Sequence, residues 1–131
     1  MIKSNYHTHS AFCDGRDSVE SIVECAIKKG FKYLGFSSHS YIEGDDCWTL
    51  KKNSLPEYIS EVLRVKEKYK SQICVFLGIE QDTCSDICDY DFDYIIGSMH
   101  SIEKDGKIYP IDQDVVPRSS LSIKVYYVLN V

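Results

Sequence analysis

The sequence predicts an α/β fold in which parallel strands alternate with outer helices, as in part of a (β/α) barrel. Short apolar runs alternate with longer stretches whose apolar residues recur at helical spacing. This alternation implies right-handed crossovers between the strands of one parallel sheet. All four histidines lie in short segments that follow the apolar runs. Because the chemistry of such barrels collects where the strands end, the histidines support the same fold.

The first strand and helix are predicted between residues 2 and 30. Residues 2–6 form the strand and lead into His7 and His9. Asp17 is the expected N-cap of the following helix, with Glu20 three residues later. Gly30 marks the end of this helix. Its expected core-facing stripe consists of Val19, Ile22, Val23, Ala26 and Ile27.

The second strand and helix repeat this pattern. Residues 33–37 form a short strand that ends at His39, and a polar loop follows. A helix is predicted over residues 55–69, with Pro56 near its start. We interpret the apolar stripes of both helices as surfaces that pack on the sheet. The second stripe is expected to contain Ile59, Val62, Leu63, Lys66 and Tyr69.

Two further strands complete the four predicted cycles. Residues 73–79 form the third strand and deliver Glu80, and residues 94–97 form the fourth, with His100 a few residues later. The stretch between them, residues 84–89, is expected to be a short helix or irregular. Asp105 and Gly106 lie between apolar residues and predict a tight hairpin turn.

The candidate site residues lie at or near the carboxyl ends of these strands. Imidazole nitrogen and carboxylate oxygen are ligands that suit zinc, manganese and iron, and a site with several ions needs a carboxylate that bridges them. In His-x-His within the end of a strand, His7 and His9 project from the same face and can reach one ion. A single histidine is more often a surface or core residue. The joint placement of four favours a multinuclear metal site.

Four short segments contain the candidate residues, and they read HTHSAFCDG (7–15), GFSSHS (35–40), GIE (78–80) and GSMHSI (97–102). In this order and at these spacings, they resemble the first four motifs of the PHP (polymerase and histidinol phosphatase) metallohydrolases. The YPID stretch at 109–112 resembles the histidinol-phosphatase branch. The resemblance implies a partial PHP-type barrel, distorted and TIM-like, with residues 1–112 as the N-terminal part of the domain and residues 113–131 as a divergent tail of strand-forming composition.

The resemblance also implies a set of ligands for two or three divalent ions, which would be Zn, Mn or Fe. His7 and His9 would hold one ion, Glu80 would bridge it to a second, and His100 would bind the second. The complete set of implied ligands is His7, His9, Asp14, His39, Glu80 and His100.

A third ion position is implied for His39 together with Asp14. An aspartate before glycine is also an ordinary turn residue, so Asp14 has two interpretations. Ser10, Ser40 and Ser101 each follow a histidine and could form hydrogen bonds that orient the ligands. Trp48, in the loop after His39, either lines a substrate pocket or packs as an ordinary tryptophan.

The function implied by the resemblance is that of a metal-dependent phosphomonoesterase. Its substrate would be a small phosphorylated molecule, L-histidinol phosphate, which it would hydrolyse in histidine biosynthesis. Barrels of this kind normally take about 200 residues or more, compared with 131 residues here, and the GHxD-like motif of the family does not follow His100. We therefore expect a C-terminally truncated chain whose activity is in doubt. The alternatives are a non-catalytic metal-binding remnant and a PHP-type nuclease or phosphodiesterase.

Composition narrows the expected partners. The net charge of −5 with no basic cluster argues against nucleic acid. No apolar segment is long enough for a signal peptide or a membrane span, so we expect a cytoplasmic protein with no membrane partner. The six cysteines show no CxxC motif and are not expected to form disulfides. An exposed sheet edge would allow a homo-oligomer.

Overall fold

The computed structural model describes residues 2–44, 47–86, 88–104, 107–110 and 127–128. Two helices are present in this part of the chain, α1 (Val19–Lys28) and α2 (Leu55–Tyr69). The strands are β1 (Lys3–Asn5), β2 (Phe31–His39), β3 (Cys74–Asp82), β4 (Tyr94–Ser98), β5 (Ser101–Lys104), β6 (Lys107–Pro110) and β7 (Tyr127–Val128). No helix among these residues is long and apolar enough to cross a membrane.

The main sheet has the strand order β1-β2-β3-β4-β7. Its first four strands are parallel, as the alternation of strands and helices predicts. The predicted class, an α/β fold with part of a (β/α) barrel, is confirmed. The short strand β7 lies in the apolar tail and pairs antiparallel with β4, so it covers the edge of β4. Residues 111–112, and residues 113–126 and 129–131 of the tail, lie outside the described residues.

Both helices pack on one face of the sheet. The α1 stripe is confirmed, with Val19 and Val23 fully buried. The α2 stripe differs from the prediction, because Leu63 is 40% exposed. The buried residues of α2 have the spacing of one helical face and are Tyr58, Val62, Val65 and Tyr69. Tyr58 fits this core because its hydroxyl donates to Gly78 O at 2.7 Å.

The start of α1 also differs from the prediction. Ser18, not Asp17, is the N-cap, and its hydroxyl accepts a hydrogen bond from Ser21 N at 3.2 Å. Glu20 therefore lies in the first turn and does not close a capping box. Its carboxylate instead accepts a hydrogen bond from Arg64 of α2 at 2.6 Å, so it joins the two helices.

The strands that lead to the site are longer than predicted. β2 continues through His39, and β3 continues to Asp82, so Glu80 lies within its strand. The described residues between 84 and 89 form turns and bends, which agrees with the irregular alternative. β5 and β6 pair antiparallel through Lys104 and Lys107, which confirms the predicted hairpin. Its turn, Asp105 and Gly106, lies outside the described residues.

The second face of the sheet carries Tyr94, which crosses two neighbouring strands. Its hydroxyl donates to Tyr6 O at 2.7 Å and to Phe36 O at 2.9 Å. Gly35 and Gly78 make room for this ring, because a Cβ atom at these positions would lie 2.4 and 2.3 Å from Tyr94 atoms. The same face carries His39 and Glu80 further along the strands, since side chains alternate along a strand. The fold thereby fixes where the site lies.

Candidate metal centre

Strand register brings His39 and Glu80 side by side at the carboxyl end of the sheet. The two residues are direct partners in the pairing of β2 with β3. His7 and His9 follow β1, which ends at Asn5, so the prediction that they lie within the end of the strand is wrong. Their segment nevertheless stays next to β2, because Thr8 O accepts a hydrogen bond from Ser37 N at 3.0 Å. This bond holds both histidines near the strand ends.

Glu80 lies at the centre of the candidate site, with only 4% of its side chain exposed. Its Oε2 atom lies 2.9 Å from His7 Nε2, 3.0 Å from His9 Nε2 and 3.3 Å from His39 Nδ1. Its Oε1 atom lies 3.6 Å from His100 Nε2. All four histidines of the chain therefore converge on one carboxylate, with different histidines at its two oxygens.

The structure brings all six predicted site residues together in three overlapping groups. Within each group the potential ligand atoms lie within 4.8 Å of one another. Asp14 also contacts His9 directly, since Asp14 Oδ1 lies 2.8 Å from His9 Nδ1. The groups are His7, His9 and Glu80; His9, Asp14 and His39; and His39, Glu80 and His100.

Unsatisfied nitrogen atoms show that these residues fit a metal ion. His9 Nε2 and His39 Nδ1 are buried and have no hydrogen-bond partner, although both lie close to Glu80 Oε2. A buried polar atom without a partner costs about 1–3 kcal/mol. A cation between these two nitrogens and the Glu80 carboxylate would give both nitrogens and the carboxylate a partner. This combination of nitrogen and oxygen donors suits zinc, manganese or iron.

Burial and charge give the ligands different protonation states. Burial is the main reason that the pKa of His39 falls to about 4, so its ring is neutral, as a metal ligand must be. Burial opposes the charge of Glu80, but His9 and His39 outweigh it and lower the pKa of this carboxyl to about 2. Burial also opposes a charge on His9. The Cys13 thiol and the Glu80 and Asp14 carboxylates next to its ring outweigh it and raise the pKa of His9 to about 10, so a metal ion must displace a proton there.

Sequence reasoning missed Asp82, a second buried carboxylate next to the cluster. Asp82 Oδ2 accepts hydrogen bonds from His100 N at 2.9 Å and from His100 Nδ1 at 2.8 Å. The predicted orienting residue Ser40 instead accepts a hydrogen bond from Asp82 N at 3.0 Å. The sequence feature that could have identified Asp82 is strand alternation, because position 82 faces the same side of β3 as Glu80.

Trp48 borders the cluster on the β2 side. Its ring centroid lies 4.9 Å from that of His39 and 5.0 Å from that of His100. Leu50, two residues later, is buried and donates a backbone hydrogen bond to His39 O at 3.0 Å. This bond ties the Trp48 loop to the end of β2. Trp48 therefore packs against the site histidines and is half-buried at the edge of the site.

Curated proteins similar to this chain include histidinol-phosphatases. The chain is 31% identical over 98 residues to the histidinol-phosphatase of Bacillus subtilis (strain 168), covering 68% of this chain and 37% of that protein. It is 32% identical over 113 residues to the histidinol-phosphatase of Lactococcus lactis, covering 78% of this chain and 40% of that protein. It is also 30% identical over 109 residues to the DNA polymerase/3'-5' exonuclease PolX of B. subtilis, covering 77% and 19%. The chain thus spans less than half the length of these relatives.

Solved structures show the same fold. A protein of Listeria monocytogenes assigned as the histidinol phosphatase hisK has a TM-score of 0.71 at 23% identity, covering 86% of this chain and 50% of that one. The histidinol phosphate phosphatase of L. lactis, solved with Zn, L-histidinol and phosphate, has a TM-score of 0.62 at 28% identity and covers 76% and 41%. The PHP domain family model matches residues 5–126. This chain therefore belongs to the PHP domain family.

Proposed function

We propose that this chain carries the metal centre of a metal-dependent phosphomonoesterase that hydrolyses L-histidinol phosphate to L-histidinol and phosphate. The observation that carries the proposal is the convergence of four imidazoles on the buried Glu80 carboxylate. Similarity to histidinol-phosphatases supports the substrate class. The L. lactis structure with Zn, L-histidinol and phosphate supports both the metal and the substrate.

We assign the six clustered residues as metal ligands, with Glu80 as the bridge. Oε2 of Glu80 faces His7, His9 and His39, whereas Oε1 faces His100. The two oxygens can thus bind different ions. The neutral ring of His39 offers a lone pair without first losing a proton. Asp14 either binds an ion together with His9 and His39 or orients His9 through their 2.8 Å contact.

The chain also provides an open side for the substrate. The side chains of His7 and Asp14 are 50% and 45% exposed, whereas those of His39 and Glu80 are almost completely buried. A phosphate group would approach from the exposed side. Two or three bound cations would neutralise phosphate oxygens and make a water molecule more acidic. Because the chain has a net charge of −5, local positive charge is needed to attract a phosphate dianion.

A second candidate function is phosphodiester cleavage, which the similarity to PolX favours. The two candidates differ in substrate charge, because a phosphomonoester is a dianion and a diester is a monoanion. A compact group of cations best matches the dianion. The absence of a basic cluster in the sequence also argues against a nucleic-acid substrate.

The test is phosphate release by the purified chain with added Zn, Mn or Fe. We expect faster hydrolysis of L-histidinol phosphate than of bis(p-nitrophenyl) phosphate. Glu80→Gln should abolish the activity, and Glu43→Gln, an exposed residue in the loop after His39, should not. Preference for the diester would favour the nuclease alternative. Bound metal with no turnover of either substrate would identify a non-catalytic metal-binding chain.

A further inference from the structure

Asp82 is a buried carboxylate, and both of its oxygens accept hydrogen bonds. Its side chain is 1% exposed. Oδ2 accepts from His100 N at 2.9 Å and from His100 Nδ1 at 2.8 Å, and Oδ1 accepts from Cys84 N at 2.8 Å. A buried carboxylate is costly unless it is hydrogen-bonded in this way. The arrangement therefore commits Oδ2 of Asp82 to His100 and Oδ1 to the turn that follows β3.

This contact fixes the tautomer and the direction of the His100 ring. Oδ2 of Asp82 is already an acceptor, because it accepts a hydrogen bond from His100 N, so we assign Nδ1 of His100 as the donor in the 2.8 Å contact. The lone pair then lies on Nε2, which points toward Glu80 Oε1 at 3.6 Å. The same Asp82 oxygen also binds the backbone of His100, so both the ring and its attachment point are held. The His100 side chain is 34% exposed, so this contact adds to the partial packing of its ring against Trp48 and His39.

We propose that Asp82 is a positioning residue that sets the affinity of the ion position formed by His39, Glu80 and His100. It does so by presenting Nε2 of His100 to that position. Asp82 itself lies on the Nδ1 side of the His100 ring and belongs to none of the three ligand groups. The inference rests on the proposed metal centre. It adds a residue whose effect is confined to one of the ion positions.

Replacement of Asp82 should weaken the binding of one ion more than the binding of the others. We expect Asp82→Ala to lower the affinity for the His100-dependent ion by about 10–100-fold, the usual effect of losing a carboxylate behind a histidine ligand. Asp82→Asn retains one acceptor oxygen for His100, so it should have a smaller effect. Asp86→Asn, the same exchange at an exposed position of the next turn, should have none. Affinities would be measured by Co²⁺ titration, with the visible absorption of Co²⁺ reporting the change in ligands.

A double-mutant cycle separates positioning from a purely structural role. The His100→Ala variant identifies the ion that depends on His100. If Asp82 acts through His100, Asp82→Asn should cause no further loss of that ion in the His100→Ala background. An equal loss in both backgrounds, or an equal weakening of every ion, would overturn the proposal. Thermal melting of the metal-free variants shows whether each one folds, and Asp82→Asn keeps the test available if Asp82→Ala does not.

The wild-type titration distinguishes failure of this inference from failure of the proposed function. If the wild-type chain binds no ion that depends on His100, the metal centre itself is wrong, and with it the role of Asp82. If the wild type binds that ion and the Asp82 variants bind it equally well, only the positioning role is wrong. Binding is read directly, so the result does not depend on catalytic turnover.

Discussion

The two sides of the candidate metal centre differ in how firmly the fold holds them. We define the loop-side cluster as His7, His9 and Asp14. We define the strand-side cluster as His39, Glu80 and His100. The loop-side cluster follows the three-residue strand β1 and is partly open to solvent. In the strand-side cluster, His39 and Glu80 lie within nine-residue strands and are paired by their register. The comparison suggests that strand pairing prepares one side before any ion arrives.

The protonation states of the histidines also differ between the two clusters. In the strand-side cluster, burial keeps His39 neutral and ready to bind an ion. In the loop-side cluster, His9 carries a proton, because its hydrogen bonds outweigh the effect of burial. A metal ion can therefore enter the strand side without displacing a proton from His39. Entry at His9 must release one, so it should depend more strongly on pH.

The largest effect should follow from Glu80, the residue that both sides share. We predict that Glu80→Gln lowers metal affinity by more than about a hundredfold. Losing a carboxylate that only hydrogen-bonds to a ligand already lowers metal affinity about 10–100-fold. Elemental analysis after gel filtration should show metal loss from both sides of the centre. Glu43→Gln is the matched control, since Glu43 is exposed. Equal metal loss in the two variants would contradict the bridging role of Glu80.

A smaller difference should separate the two sides. His39 takes part in two of the three ligand groups, whereas His7 takes part in one and has a side chain that is 50% exposed. We predict that His39→Asn lowers the number of bound ions more than His7→Asn does. Isothermal titration with Zn²⁺ would compare the two variants at one pH. A greater loss in the His7 variant would mean that the strand side is not the better-prepared one.

The pH dependence of stability should show the protonated state of His9. The pKa of His9 is raised from 6.5 to about 10 in the folded, metal-free protein, so its contribution is complete below about pH 6.5 and is lost toward pH 10. The pKa of Glu80 is lowered from 4.5 to about 2. Its contribution is complete above about pH 4.5 and is lost as the pH falls toward 2. The lowered pKa of His39 makes stability fall below about pH 6.5 as well, so denaturant unfolding of the metal-free chain should show greatest stability near pH 6.5.

The alkaline side of this profile can be tested by substitution. His9→Gln removes the group whose proton is lost, so stability should fall less between pH 6.5 and pH 10 in this variant. Saturating Zn²⁺ should also flatten the wild-type profile, because a bound ion replaces the proton on His9. An unchanged alkaline slope in His9→Gln would show that His9 is not protonated in the metal-free protein.

The sequence predicted the parts of this molecule that depend on local pattern. Four parallel strands and two helices follow from periodicity, and the six residues of the two clusters follow from spacing and family resemblance. The predicted stripe of α2 contained Leu63, because helical spacing alone does not separate the centre of a buried face from its borders. Packing against the sheet is what selects Val65. Asp82 was missed because its role depends on His100, which is 18 residues away in the chain. Contacts of this kind become visible only when the strand register is known.

The smallest expected effect is optical and leaves stability unchanged. Trp48 is the only tryptophan of the chain, and its ring lies within 5.0 Å of two strand-side histidines, His39 and His100. We predict that Co²⁺ quenches Trp48 fluorescence when the strand-side position fills, since the ion would lie next to these rings. In a stepwise titration, His7→Asn should retain the quenching step and His39→Asn should lose it. If His7→Asn loses the quenching step and His39→Asn retains it, the first ion binds on the loop side, and the proposed order of filling is reversed.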